Sequence, residues 1–237
     1  SPLYLLRSGR LDEAKEVVNR MLEANGKPLL DFGTRLFQPE TATGQGIFSP
    51  ALRQRSVMIL AIWFLVSVSY YGVFTWMPAR LAGEGFGFVR GYGFLVLVAL
   101  AQIPGYALAA YGVEKWGRKP TLIGFCLLSA LGCLLFTLAS SSPLVAASLL
   151  IMSFALLGTW GALYAYTPEL YPTESRATGM GAAGAMARLG GLTAPSILGY
   201  AIAQGFGFAV GIFAGLLVLA AIAATFINAE TRRSALA

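Results

Sequence analysis

Residues 56–79 read SVMILAIWFLVSVSYYGVFTWMPA, a run with no charged side chain, closed by Arg55 on one side and Arg80 on the other. About twenty predominantly apolar residues suffice for one helical crossing of a bilayer. The same pattern recurs along the chain. Gly91 to Val113 is uncharged between Arg90 and Glu114, and Pro120 to Pro168 carries no charge at all. That last run is too long for one crossing, and Ser140-Ser141-Ser142-Pro143 divides it. Two more apolar segments follow. The chain is therefore expected to be an all-α integral membrane protein with six spans, at about 56–79, 91–113, 120–139, 143–167, 177–200 and 206–227.

Composition points the same way. Of 237 residues, 57% are hydrophobic and only 12% charged, with mean hydropathy +0.68; a soluble domain carries about 25% charged residues. The net charge of +6 is distributed over short polar segments. A nucleic-acid partner would require the basic residues on one accessible face, and is not expected. Histidine is absent, which excludes a histidine-based triad or proton relay. Cys126 and Cys133 lie inside one apolar run and read as small hydrophobes. No G-x-x-x-x-G-K-[ST] run occurs, so ATP hydrolysis does not fit. No catalytic residue, metal site or cofactor is expected, and an enzyme is the least favoured class.

Basic residues set the orientation, because cytoplasmic loops carry the excess of lysine and arginine. With residues 1–55 inside, the cytoplasmic face receives fourteen of the seventeen basic residues, and the other face only Arg80 and Arg90. Both termini are expected to be cytoplasmic. Residues 1–50 form the one substantial polar segment. Within it Leu11 to Ala24 predicts a short amphipathic helix with Ala14, Val17, Val18, Met21 and Leu22 on one stripe, ended by Asn25-Gly26-Lys27-Pro28. Asp31 to Pro50 reads as a linker, and 51–237 as the six-helix membrane domain.

The remaining basic residue, Arg188, stands in an uncharged stretch from Ala177 to Ala229. A guanidinium at bilayer depth costs about 2.5–3.5 kcal/mol on insertion scales, and is held where it faces a bundle interior, a water-filled cavity or an anion. Glycines 179, 181, 184, 190 and 191 surround it, and Pro104 and Pro195 can bend their helices. Gating and plain close packing both account for that pattern. Helical spacing pairs Tyr70 with Phe74, Gln102 with Tyr106, and Trp160 with Tyr164 on shared faces. These faces, with Tyr71 beside Tyr70, form a candidate binding surface. Arg188 would take a carboxylate in a bidentate pair. The aromatic rings would wall a flat ligand, and Gln102 and Tyr106 would read its heteroatoms.

Three polar segments carry a more specific signal: Val113-Glu114-Lys115-Trp116-Gly117-Arg118-Lys119, the run Pro168-Glu169-Leu170-Tyr171-Pro172-Thr173-Glu174-Ser175-Arg176-Ala177-Thr178-Gly179, and the tail Ala229-Glu230-Thr231-Arg232. Their order and spacing resemble the C-terminal half, helices seven to twelve, of a major facilitator superfamily transporter. The opening Ser1-Pro2-Leu3-Tyr4-Leu5-Leu6 and Gly9-Arg10 resemble the central cytoplasmic loop of the same superfamily. Tyr70-Tyr71 and Ala187-Arg188-Leu189-Gly190 are similar to motifs of its organic-ion and metabolite branch, which includes bacterial nicotinate and aromatic-acid carriers. Glu114 departs from the usual Asp, and Ala229 from the proline of sugar porters.

The resemblance implies a six-helix half working with an N-terminal six-helix half, by alternating access, in a plasma membrane such as the bacterial inner membrane. It implies a small organic anion as solute, an aromatic monocarboxylate such as nicotinate. A sugar or polyol carrier is the alternative, and a receptor-like or scaffolding relative a third reading. It further implies that Glu114, Lys115, Arg118, Glu169, Arg176, Glu230 and Arg232 pair helix ends in a cytoplasmic gate; charge alone would fit simple topology equally well. No Asp or Glu falls within a span, so a proton site would belong to the other half.

Overall fold

The computed structural model describes residues 2–31, 33–34, 46–83 and 92–232, which fall into two compact units, Ser1–Gly44 and Gln45–Ala237. The first holds α1 (Pro2–Arg7) and α2 (Leu11–Ala24). The second holds α3 (Arg53–Gly83), α4 (Tyr92–Leu100), α5 (Gln102–Lys115), α6 (Arg118–Leu138), α7 (Ser142–Glu169), α8 (Thr173–Ile202) and α9 (Phe206–Thr225). Arg90 and much of the expected linker, 35–45, lie outside the described residues, as does the side chain of Arg80.

α2 coincides with the amphipathic stretch. Ala14 is fully buried, Val17, Val18 and Leu22 are half-buried, and Met21, on the same expected stripe, is exposed. The helix stops where Gly26 turns at φ 64° and the Asn25 amide donates to the Met21 carbonyl at 2.7 Å. α1 was not expected. Six residues are too few to show a helical period, and α1 is held by packing on α2, with Leu6 buried.

In the second unit the expected 91–113 span consists of two helices, parted at Ala101. Pro104 explains the break: it has no N–H to give the Leu100 carbonyl, and its ring crowds that carbonyl. Ala101 keeps helical dihedrals (φ −62°, ψ −18°). Ala139 leaves the helical conformation after α6, and Pro143 sits in the first turn of α7. α8 runs longer than the expected 177–200, starting directly after Pro172.

Among the described residues, five segments are long and apolar enough to cross a membrane: Arg53–Thr75, Gly93–Lys115, Arg118–Leu138, Ser142–Glu169 and Gly207–Thr225. α8, at 30 residues, is long enough, but glycines and Arg188 dilute its apolar character and it is not among the five. A helix of that composition suits a protein-facing or water-facing position better than a lipid-facing one. α3 packs against α8 and α9, α6 against α7 and α9, and α5 against α7. The fully buried side chains Trp63, Ile59, Leu122, Leu149, Met152, Leu156, Leu163 and Phe213 belong to this packing. Cys126 and Cys133 are buried free thiols, as their apolar run suggests.

Candidate functional site

Two helical stripes bring the aromatic residues together. On α3, Trp63, Ser67, Tyr70 and Phe74 recur at four- and three-residue spacings and share a face. On α7, Trp160, Tyr164 and Thr167 do the same. The stripes meet edge to face: Trp63 lies 5.2 Å from Trp160 and 5.0 Å from Tyr164, and Tyr70 lies 5.9 Å from Trp160, centroid to centroid. Tyr70 also contacts Tyr71 at 5.3 Å and Phe74 at 4.9 Å, while Trp160 and Tyr164 are 6.1 Å apart. Such pairs contribute about 0.5–1.5 kcal/mol each beyond their buried area. Five of the expected site residues, Tyr70, Tyr71, Phe74, Trp160 and Tyr164, thus form one cluster.

Tyr106 joins from α5. Its ring lies 3.1 Å from where a Cβ on Gly161 would stand, beside Trp160 on α7. Tyr106 and Tyr164 are 44% and 56% exposed, whereas Trp160 is only 8% exposed and backs the others. Gln102, one turn before Tyr106, is half-buried and has no hydrogen-bond partner among the described residues.

α8 reaches the cluster through α3. Ala187 and Ala194 are buried, and a Cβ on Gly190 would meet the Phe64 carbonyl at 2.8 Å. Ser67 Oγ donates to the Ala187 carbonyl at 2.6 Å. Arg188 and Gly191 flank that contact, one turn apart, and the Tyr71 ring stands 3.0 Å from the Cβ position of Gly191. Arg188 therefore lies along the edge of α8 to which Tyr71 also turns. It is exposed, with no hydrogen-bond or ion-pair partner among the described residues.

The charged residues gather at one end of the bundle, and most of them cap helices. Arg118 holds Glu169 in a bidentate pair, Nε to Oε2 at 2.8 Å and Nη2 to Oε1 at 2.9 Å, with side chains 20% and 17% exposed. Glu230 has no ion-pair partner among the described residues. Its carboxylate accepts from the backbone N–H groups of Arg118 and Lys119 at 2.9 and 3.0 Å, capping the N-terminus of α6. Gly117 makes room for this: its φ is 115°, and a Cβ there would stand 2.9 Å from the carboxylate. Lys119 Nζ in turn donates to the Thr225 and Ile227 carbonyls at the end of α9. An anion at a helix start and a cation at a helix end both suit the helix dipole.

The end of α7 is held similarly. Arg176 Nε donates to the Pro168 carbonyl at 2.9 Å and Arg55 to the Leu170 carbonyl at 3.1 Å. Arg232 Nε donates to the Glu114 carbonyl at 3.0 Å, Thr231 to the Glu169 carboxylate, and the Tyr166 hydroxyl to the Ala229 carbonyl. Lys115 is exposed and without a partner among the described residues. Ion pairing was the expectation; among the described residues these groups make one ion pair and a set of carbonyl and N–H caps. Helix ends leave unsatisfied backbone groups that nearby charges satisfy.

Sequence reasoning missed Trp63 and Thr167, although Trp63 precedes Tyr70 by two helical turns, a spacing that could have placed it. Lys119 was missed too, despite adjoining Arg118.

A double-mutant cycle on Arg118→Ala and Glu169→Ala is expected to give a coupling of about 1–3 kcal/mol in unfolding free energy, above the exposed-pair range. Additive single effects would show the pair to be energetically idle.

A family match classes this chain of membrane-length helices as a membrane transporter rather than an enzyme. The Major Facilitator Superfamily profile matches residues 3–195 and 92–236. The chain belongs to that superfamily. The niacin transporter NiaP of Acinetobacter baylyi is 37% identical over 94% of this chain and 52% of its own length. Solute carrier family 22 member 15 of Xenopus tropicalis is 33% identical over 92% of this chain and 43% of its own. The chain thus spans about half the length of the curated relatives it matches. The proton:xylose symporter XylE, bound to 6-bromo-6-deoxy-D-glucose, superposes with a TM-score of 0.72 over all of this chain and 52% of that one, at 20% identity, which speaks to the fold alone.

Proposed function

We propose that the chain is the C-terminal six-helix half of a secondary active transporter that carries a small organic anion, an aromatic monocarboxylate such as nicotinate, by alternating access. The observation that carries the reading is Arg188: an exposed guanidinium without a protein partner among the described residues, on the side of α8 that Tyr71 abuts. A fixed cation beside flat apolar rings suits a ring bearing a carboxylate. Tyr70, Tyr71, Phe74 and Tyr164 would wall the ring, Trp160 would back them, and Gln102 and Tyr106 would meet its heteroatoms. The 37% identity to a niacin transporter supports the choice of solute.

An N-terminal six-helix half would complete the path and carry the proton site, since the carboxylates of the spans here, Glu114 and Glu169, stand only at their ends. Both termini would be cytoplasmic in a bacterial inner membrane. The capped end of the bundle, Glu114, Lys115, Arg118, Glu169, Arg176, Glu230 and Arg232, would be the cytoplasmic gate. Contacts of this strength suit two states separated by a few kcal/mol.

The test is competition against labelled nicotinate by the full-length polypeptide in liposomes. Benzoate is expected to compete within about tenfold of nicotinate, because both keep the carboxylate, and nicotinamide and xylose at least about a hundredfold more weakly. Displacement by xylose with indifference to benzoate would replace this reading with a sugar carrier.

A further inference from the structure

We infer that Trp63, oriented by Thr167, is a positioning residue that sets the spacing of the aromatic walls and thereby the preference for planar over non-planar carboxylates; this rests on the site reading above. Trp63 is 1% exposed, so it meets no solute. It stands edge-on behind both Trp160 and Tyr164, and one residue thus supports the Tyr164 wall and the Trp160 ring that backs the walls. Its indole Nε1 donates to Thr167 Oγ1 at 2.8 Å. The threonine hydroxyl is itself fixed: it donates to the Leu163 carbonyl at 2.7 Å and is completely buried. With its proton committed there, the oxygen has lone pairs left for the indole, so the acceptor points in a fixed direction.

The backbones of α3 and α7 meet only lightly, unlike the extensive contacts of α3 with α8 or α6 with α7. Ring contacts and this hydrogen bond therefore hold the two stripes in register. If the bond is lost, the indole can tilt, and both Trp160 and Tyr164 lose the surface that fixes their planes. A slot of fixed width favours a flat ring over a puckered one of similar volume; a loosened slot favours it less. The carboxylate contact is common to both ligands and cancels in the comparison.

The experiment measures equilibrium binding of benzoate and cyclohexanecarboxylate to the full-length polypeptide in liposomes, for Thr167→Val, Thr167→Ser, Trp63→Phe and Trp160→Ala. Thr167→Val and Trp63→Phe are expected to reduce the preference for benzoate by about fivefold, the equivalent of one neutral hydrogen bond, with the number of binding sites unchanged. Thr167→Ser, which keeps the acceptor, should stay within about twofold of the unaltered protein. Should Thr167→Val fail to insert, Trp63→Phe, which keeps a ring in place, carries the test alone. Unaltered preference in Thr167→Val and Trp63→Phe, with binding lost in Trp160→Ala, overturns this inference and leaves the site standing. Binding unaffected by Trp160→Ala overturns the site and this inference together.

Discussion

Uptake of nicotinate is expected to fall by about a hundredfold or more in kcat/KM when Arg188 becomes alanine, while the protein becomes no less stable. The first half follows from the chemistry of the pair. Hydrogen bonds to charged groups contribute about 1.5–3 kcal/mol each, and a bidentate guanidinium–carboxylate contact has two of them. About 3 kcal/mol is already more than a hundredfold in affinity. Arg188→Lys keeps the charge but not the fork, and should recover about tenfold of the loss. Binding of nicotinamide, which has no carboxylate to offer, should change little in either variant.

The second half separates a functional arginine from a structural one. An arginine already satisfied by protein groups would leave those groups unpaired on removal, and the protein would melt earlier. Arg188 is exposed and unpartnered among the described residues, so its removal leaves no protein group stranded. Thermal unfolding in detergent, measured beside uptake, reads both effects. Uptake at unaltered affinity in Arg188→Ala and Arg188→Lys alike would remove the residue from the site.

The long apolar helices were legible because the bilayer core admits few substitutes for an apolar side chain. Charge gaps such as 56–79 and 120–168 therefore mark helices even without a helical period. Faces were legible where spacing alone decides them, as for Tyr70 with Phe74 or Trp160 with Tyr164. Pairings between helices were not. Arg118 and Glu169 are 51 residues apart, and Lys119 meets carbonyls more than a hundred residues away. Which charge meets a carboxylate and which meets a bare helix end depends on how those ends are brought together. Trp63 escaped notice for a related reason: in an apolar run a tryptophan reads as core or lipid contact. Only the facing helix supplies the Thr167 oxygen that gives its N–H a direction.

Gly105→Ala is expected to be the most destabilising single-methyl change in the second unit. Two effects oppose each other there. Alanine is a better helix former than glycine by about 0.8–1.0 kcal/mol. Against that, the new Cβ would stand 2.2 Å from the Phe154 carbonyl oxygen and 3.0 Å from its carbon. Both are backbone atoms of α7, so no side chain can swing aside; α5 must move away as a body. Overpacking commonly costs about 1–3 kcal/mol when side chains can adjust, so a backbone clash places the net loss at about 2 kcal/mol or above after the propensity gain. The displacement would also draw the neighbouring Tyr106 ring off Gly161, so stability and solute affinity should fall together. Gly124→Ala on α6 supplies the comparison: nothing lies within 4 Å of its Cβ position, and only the favourable propensity term remains, up to about 1 kcal/mol. Thermal unfolding of the two variants in the same detergent should thus shift in opposite directions. A Gly105→Ala protein as stable as the unaltered one would mean that α5 and α7 approach less closely than the Phe154 contact requires.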